Sequence, residues 1–335
     1  MASARGLQDY LVIHYPNASI SDFTYLSGGW ECDIYAFTLT LTDGKPRDLI
    51  LRLYLGNDGV EKTAHEGGGL RQLFEAGYPV PETFLYETDS TVLGNPFIIM
   101  EKLDGQGLWA AMSNATRQQE SQLLDQFGRL IAQFHRLDWR PFTEQAARYQ
   151  AIPGAVLDDL LASYRRLYSE FEVEGFLAIL DWLETHKTAI SAQPAVVHLD
   201  FHANNIFLHG DGRMTVIDWS QITVADYRCD LSWTLMIMGD HGKPGWREHI
   251  LDAYIRAAGH PVEQLDYFNV ISYTKLLAST VISLRVGPEK LEMRPETIET
   301  MKQQGDSIKL LSRRIHAITG VTVSEVQTLL DQIGE

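Results

Sequence analysis

Two textures of apolar patterning divide this chain. Between residues 23 and 100 short strand-like runs dominate. Residues 23–37 place a Ser27-Gly28-Gly29 turn between two such runs, residues 48–55 (DLILRLYL) form another, and Pro96-Phe97-Ile98-Ile99-Met100 a later one. The region reads as a small mixed sheet with one helix. Gly67-Gly68-Gly69 should either break that helix or start it near Leu70, because an interior helical glycine costs about 1 kcal/mol relative to alanine. Its expected buried stripe is Leu70, Leu73 and Phe74, and Gly77-Tyr78-Pro79-Val80-Pro81 ends it. Beyond residue 104 the helical period takes over. Thr116 and Gln119 form a capping box, after which Leu123, Leu124, Phe127, Leu130, Ile131 and Phe134 recur on one face. Helices are also expected over residues 155–171, 176–190, 245–258, 262–284, 295–315 and 322–333, and a Gly210-Asp211-Gly212 turn should join two short strands. The pattern predicts an α+β chain, sheet-rich first and mostly helical afterwards.

The chemistry concentrates where an apolar strand, Val196-Val197, delivers His198 and Asp200 into a loop. Asn205 follows five residues after Asp200, and Asp218 closes a second apolar strand, Val216-Ile217. An aspartate ahead of two hard oxygen ligands suits phosphoryl transfer: it accepts a hydrogen bond from an attacking alcohol, while Asn and Asp hold a Mg²⁺ that bridges nucleotide phosphates. Asp200 is therefore the candidate base, Asn205 and Asp218 are the candidate metal ligands, and all three should surround one pocket. The spacing H-x-D-x-x-x-x-N followed by I-D-W parallels the H-R-D-x-x-x-x-N and D-F-G of protein kinases, without their Arg and Phe-Gly. A rival reading uses the alternation His198-x-Asp200-x-His202 as three transition-metal ligands of a hydrolase.

The block from His198 to Asn205, then Val216-Ile217-Asp218-Trp219-Ser220, then Asp226-Tyr227-Arg228-Cys229-Asp230-Leu231, closely resembles the aminoglycoside phosphotransferase and choline kinase-like superfamily of small-molecule kinases. The resemblance implies a two-lobed protein-kinase-like fold, with a nucleotide-binding lobe at residues 1–103, a helical lobe with the catalytic loop and substrate site at residues 104–335, and the nucleotide between them. Ser27, Gly28 and Gly29 would then cover the phosphates, since glycine lets backbone N–H groups approach. Arg52 occupies the slot of the phosphate-contacting lysine and should pair with Glu66. Residues 101–105 match the interlobe hinge, with Glu101 and Leu103 offering backbone groups to the base and Met100 lining its pocket. His198 shapes the catalytic loop beside Asp200, and His202 supports it. Asp230 reads as the N-terminal cap of the apolar segment 231–238 and, by resemblance, braces that loop. His135 reads as a packing or hydrogen-bonding residue rather than a catalyst.

The implied reaction is ATP- or GTP-dependent O-phosphorylation of a small molecule, such as an aminoglycoside or macrolide antibiotic. Arginine at position 52 is similar to the hygromycin and macrolide phosphotransferase branches. A metabolic kinase acting on an amino alcohol or sugar is the alternative, and Arg52 with the triple glycine also leaves room for a weak nucleotide-binding pseudokinase. A D-F-G to A-P-E activation segment is absent between Asp218 and Asp230, which disfavours protein acceptors.

Composition narrows the partners. A length of 335 residues with 45% hydrophobic content suffices for two cores, and a net charge of −16 repels nucleic acid and anionic membranes while favouring cationic substrates. Two cysteines, Cys32 and Cys229, argue against a disulfide framework or a Cys-based zinc module. No apolar run approaches the roughly 18 residues of a membrane span, and the first residues lack an apolar signal core, so a cytoplasmic location is expected.

Overall fold

The computed structural model describes residues 3–28, 32–291 and 297–333. The chain forms two compact units: Met1–Ser113 joined by Ala203–Ile222, and Asn114–His202 joined by Thr223–Glu335.

In the first unit, helix α1 (Ala4–His14) precedes β1 (Ser19–Gly28), β2 (Cys32–Thr40), β3 (Pro46–Tyr54), α2 (Gly59–Glu75), β4 (Thr83–Glu87) and β5 (Phe97–Glu101). The strands pair in the order β1-β2-β3-β5-β4. Each pair is antiparallel, so the sheet is not mixed. Period-two alternation in β3 buries Leu49, Leu51 and Leu53 with Leu7, Leu11, Phe37, Phe97 and Ile99. Arg52 therefore points to the other face. Helix α1, which the strand patterning did not anticipate, supplies Leu7 and Leu11 to that core one helical turn apart.

Helix α2 runs unbroken through the triple glycine, contrary to the expected break or late start. Packing overrides propensity here. A Cβ on Gly67 would lie 2.7 Å from the Tyr86 ring and one on Gly69 2.8 Å from Ile222, whereas Gly68 faces open space. Two of the three glycines thus admit close neighbours that a side chain would push away. Leu70 and Leu73 are buried as expected, but Phe74 is 46% exposed. The same unit holds β6 (Gln106–Gly107), α3 (Leu108–Asn114), β8 (Ile206–Leu208) and β9 (Met214–Val216), the strands paired as β6-β8-β9.

The second unit contains α4 (Arg117–His135), α5 (Ala146–Ala151), α6 (Ala155–Glu170), α7 (Leu177–His186), β7 (Pro194–Val197), β10 (Thr223–Asp226), α8 (Tyr227–His241), α9 (Trp246–Ala258), α10 (Leu265–Val286), α11 (Thr297–Gln303), α12 (Gly305–Thr319) and α13 (Ser324–Ile333). The Thr116 capping box forms at the start of α4. The segment read as one helix over residues 295–315 is divided between α11 and α12. The buried length of α10 contributes Phe268, Ile271, Leu277 and Ile282 to one core that also holds Leu157, Phe176 and Leu180. Strands β7 and β10 pair antiparallel with Val196 opposite Val224, which fixes where β7 releases the chain into the His198–Asp200 loop. Among the described residues no helix is long and apolar enough to cross a membrane.

Candidate functional site

In the second unit, β7 ends at Val197 and the loop turns at Leu199, whose φ of +62° lies in the left-handed region. A leucine there is strained by about 1–3 kcal/mol and needs its surroundings to hold it. Asp230 does so: its carboxylate accepts the N–H of His198 at 2.8 Å and of Leu199 at 3.0 Å. Asp230 does not cap its helix. The cap of α8 is Asp226, which accepts the N–H of Arg228 at 3.0 Å, and Asp230 sits inside the first turn with its carboxylate turned to the loop. His135 lies behind it, 3.4 Å from the carboxylate and 3.0 Å from the Tyr254 hydroxyl.

His198 is fully buried, and its Nδ1 accepts the Asp200 N–H at 3.3 Å. The Asp200 side chain retains 34% exposure, with Oδ2 3.4 Å from His202 Nε2. Trp233 Nε1 donates to Asp200 Oδ1 at 3.0 Å. Burial opposes the Asp200 charge, but the hydrogen bond and charge of His202, with Lys275 and His198 behind them, hold the carboxyl below its usual range. Asp200 is thus an ionised acceptor on a rigidly fixed backbone. His198, Asp200, His202 and Asp230 are brought together within this unit.

In the first unit, Arg52 projects from β3 toward α2 and pairs with Glu66, Nη1 to Oε1 2.6 Å. Tyr54, two residues along the same strand face, donates its hydroxyl to the other Glu66 oxygen at 2.6 Å, and Arg52 Nε reaches Cys32 Sγ at 3.3 Å. Arg52 Nη2 also lies 3.6 Å from Asp218 Oδ1. Burial works against the guanidinium charge, yet Glu66 foremost, with Tyr54, Cys32 and Asp218, keeps its pKa well above the ordinary value. Glu66 is 2% exposed, while Asp218 keeps 46% exposure.

The hairpin of β8 and β9 aligns the two candidate ligands. Ile206 pairs with Val216, and the Ile217 N–H donates to the Asn205 carbonyl at 2.9 Å, so Asn205 sits beside the residue preceding Asp218. Asp218 has φ +64°, a conformation that aspartate tolerates better than most side chains. The hairpin is anchored within its unit by Val216 N–H to Pro79 O at 2.9 Å and by the buried Trp219 edge-on to Tyr78. One amide oxygen and one exposed carboxylate suit Mg²⁺, which takes few protein ligands and fills its shell with water and phosphate oxygens. Among the described residues no group of three His, Cys, Asp or Glu side chains could hold a metal. The His198, Asp200, His202 transition-metal reading is therefore set aside, since His198 turns its ring nitrogen to a backbone N–H instead.

Of the expected glycine turn, Ser27 and Gly28 close β1, and Gly29 lies outside the described residues. Met100 and Glu101 end β5, with the Glu101 N–H given to Glu82 O at 2.9 Å and the Lys102 N–H to Asp48 O at 3.0 Å. Leu103 follows that strand in the same unit. Tyr54, Trp233 and Lys275 escaped the sequence reading. Strand alternation from Arg52 could have flagged Tyr54, and the helical offset of three from Asp230 could have flagged Trp233.

The model of the phosphotransferase enzyme family matches residues 22–265. Among curated proteins, acyl-CoA dehydrogenase family member 11 of Gallus gallus is 25% identical over 230 residues, which cover 62% of this chain and 29% of that protein. The chain thus spans less than a third of the length of the curated relatives it matches. Among solved structures, a candidate aminoglycoside phosphotransferase of Ralstonia eutropha is similar at TM-score 0.65 and 16% identity, covering 98% of this chain and 99% of that one. An ethanolamine kinase of Plasmodium vivax reaches TM-score 0.58 at 12% identity, covering 95% and 82%. At these identities the solved structures establish the kinase-like fold alone.

Proposed function

Because the chain belongs to the phosphotransferase enzyme family, we propose that it transfers the terminal phosphoryl group of ATP or GTP to a hydroxyl of a small molecule. Asp200 accepts the hydrogen bond of the attacking hydroxyl and takes its proton as the bond to phosphorus forms. His198, His202 and Asp230 keep that carboxylate placed. Arg52, fixed by Glu66, contacts the nucleotide phosphates, and Ser27, Gly28 and Gly29 cover them. Glu101 offers the base its carbonyl, because its N–H is engaged by Glu82, and Leu103 offers its N–H beside Met100. Nucleotide recognition is assigned to residues 1–103 and acceptor recognition to residues 104–335, in a cytoplasmic enzyme. Asn205 and Asp218 would hold magnesium, which supplies neutralisation of phosphate charge.

The observation that carries this reading is the Asp200 carboxylate, part-exposed, held ionised and mounted on a loop whose strained turn is secured by Asp230. The first acceptor class proposed is an antibiotic, an aminoglycoside or macrolide, in keeping with a chain of net charge −16. A second reading, a metabolic alcohol, is favoured by the curated relatives named for acyl-CoA dehydrogenation and by the ethanolamine kinase likeness. A phosphorylation screen over antibiotics, amino alcohols, sugars and hydroxylated acyl thioesters, run with wild type and Asp200→Ala, tests the proposal. Equal turnover by both proteins rejects Asp200 as the base, and nucleotide binding without transfer to any acceptor rejects the enzyme.

A further inference from the structure

One face of α8 reads the catalytic loop residue by residue. Asp230 takes the N–H groups of His198 and Leu199, Trp233 donates to Asp200 Oδ1 at 3.0 Å, and Thr234 donates its hydroxyl to Phe201 O at 2.8 Å. Offsets of three and four along a helix put these side chains on one surface, so the helix grips four consecutive loop residues in order. A second element closes the grip. From α10, Lys275 donates to Leu199 O at 3.0 Å, and its ammonium sits 4.4 Å above the centre of the Trp233 ring.

We propose that Trp233 and Lys275 are positioning residues for Asp200: the indole N–H fixes Oδ1, and the ammonium, seated on that same indole and on the loop carbonyl, places a fixed positive charge beside the carboxylate. The two Asp200 oxygens are thereby made unequal. Oδ1 belongs to the scaffold, and Oδ2, which faces His202 at 3.4 Å, is the oxygen presented to the acceptor hydroxyl. An aspartate held only through its own backbone could rotate about its side-chain bonds, and a misplacement of about 1 Å can cost roughly 100-fold in rate. The ammonium is itself pinned, by a cation–π contact and by a hydrogen bond. Burial holds the Lys275 pKa below its ordinary value, with Asp200 and Asp230 pulling the other way, toward the charged form.

This inference rests on the proposed role of Asp200, so its test has one arm that needs no turnover. The indole N–H resonance of Trp233, identified by its loss in Trp233→Phe, should move in Asp200→Ala, because the charged acceptor is gone; an unmoved resonance overturns the pairing whatever the acceptor proves to be. In the second arm, with an acceptor that wild type phosphorylates, Trp233→Phe keeps the ring under Lys275 but loses the N–H, and should lower kcat on the order of 10- to 100-fold with the nucleotide KM unchanged. Lys275→Met should act in the same direction and Lys275→Arg should recover most of the loss. Wild-type kcat in both Trp233→Phe and Lys275→Met overturns the proposal. So does a loss that follows only the fraction of folded protein in thermal unfolding. If wild type phosphorylates nothing, the proposed function fails, and the resonance arm still decides whether the contact exists.

Discussion

The two candidate clusters are built on opposite plans. Around Asp200, side chains hold main chain as well as the carboxylate: Asp230, Thr234 and Lys275 each bond to backbone atoms of the loop, while Trp233 and His202 meet the Asp200 side chain. Around Arg52, side chains hold side chains: Glu66 receives a guanidinium on one oxygen and the Tyr54 hydroxyl on the other. The first plan fixes a path, as the base role proposed for Asp200 beside the left-handed turn at Leu199 requires. The second fixes a charge, as the phosphate contact proposed for Arg52 requires. Disturbing each should therefore fail in a different way.

The largest effect expected is on rate. Asp200→Ala should lower kcat by about 10²–10⁴-fold, the usual contribution of a positioned base, while nucleotide affinity measured by calorimetry stays near wild type. Next comes Glu66→Ala, which takes the nearest carboxylate from a mostly buried guanidinium, leaving it Asp218 at 3.6 Å, and should destabilise by about 3 kcal/mol in denaturant titration, with weakened nucleotide binding. Asp230→Ala leaves two backbone donors of the strained turn without their acceptor and should cost about 3 kcal/mol, with kcat falling and nucleotide affinity retained. If Glu66→Ala and Asp230→Ala gave the same kinetic phenotype, the distinction between path and charge would collapse.

Smaller effects sharpen the picture. Gly67→Ala drives a methyl into the Tyr86 ring and should cost about 1–3 kcal/mol, whereas Gly68→Ala meets open space and should gain about 1 kcal/mol. Thermal unfolding of the pair separates packing from propensity. The smallest effect concerns acid. A carboxyl whose folded pKa is depressed contributes stability above its unfolded pKa, near about 3.9, and loses it as pH falls through the lower folded value. Asp200 should accordingly stay ionised from neutrality to about pH 5, so that its titration leaves no mark on kcat there; an inflection between those limits that disappears in Asp200→Asn would contradict the depressed value.

Much of this was legible because spacing carries it. Asn205 and Asp218 stand at a sequence distance that a short hairpin converts directly into adjacency within the first unit, and the Arg52–Glu66 pair follows from a strand facing the next helix. The triple glycine misled, because propensity alone cannot know that Tyr86 and Ile222 will press against Gly67 and Gly69. Asp230 was read as a cap because nothing local distinguishes it from Asp226, four residues earlier in a similar setting. Lys275 carried no signal: it contacts the loop from a helix distant in sequence, and only tertiary placement joins them.

The chain visits its two units alternately, leaving the first after Ser113, returning for Ala203–Ile222 and leaving again. No single cut can therefore separate them intact. A fragment ending at Ser113 forfeits β8, the partner of β6, and β9 beyond it, together with Asn205 and Asp218, and a fragment beginning at Asn114 carries that hairpin away from β6, Tyr78 and Pro79, which anchor it. Gene truncation or domain grafting along the obvious linear boundary would yield two orphans, whereas a fusion replacing residues 114–202 by a short linker preserves the first unit's own connectivity.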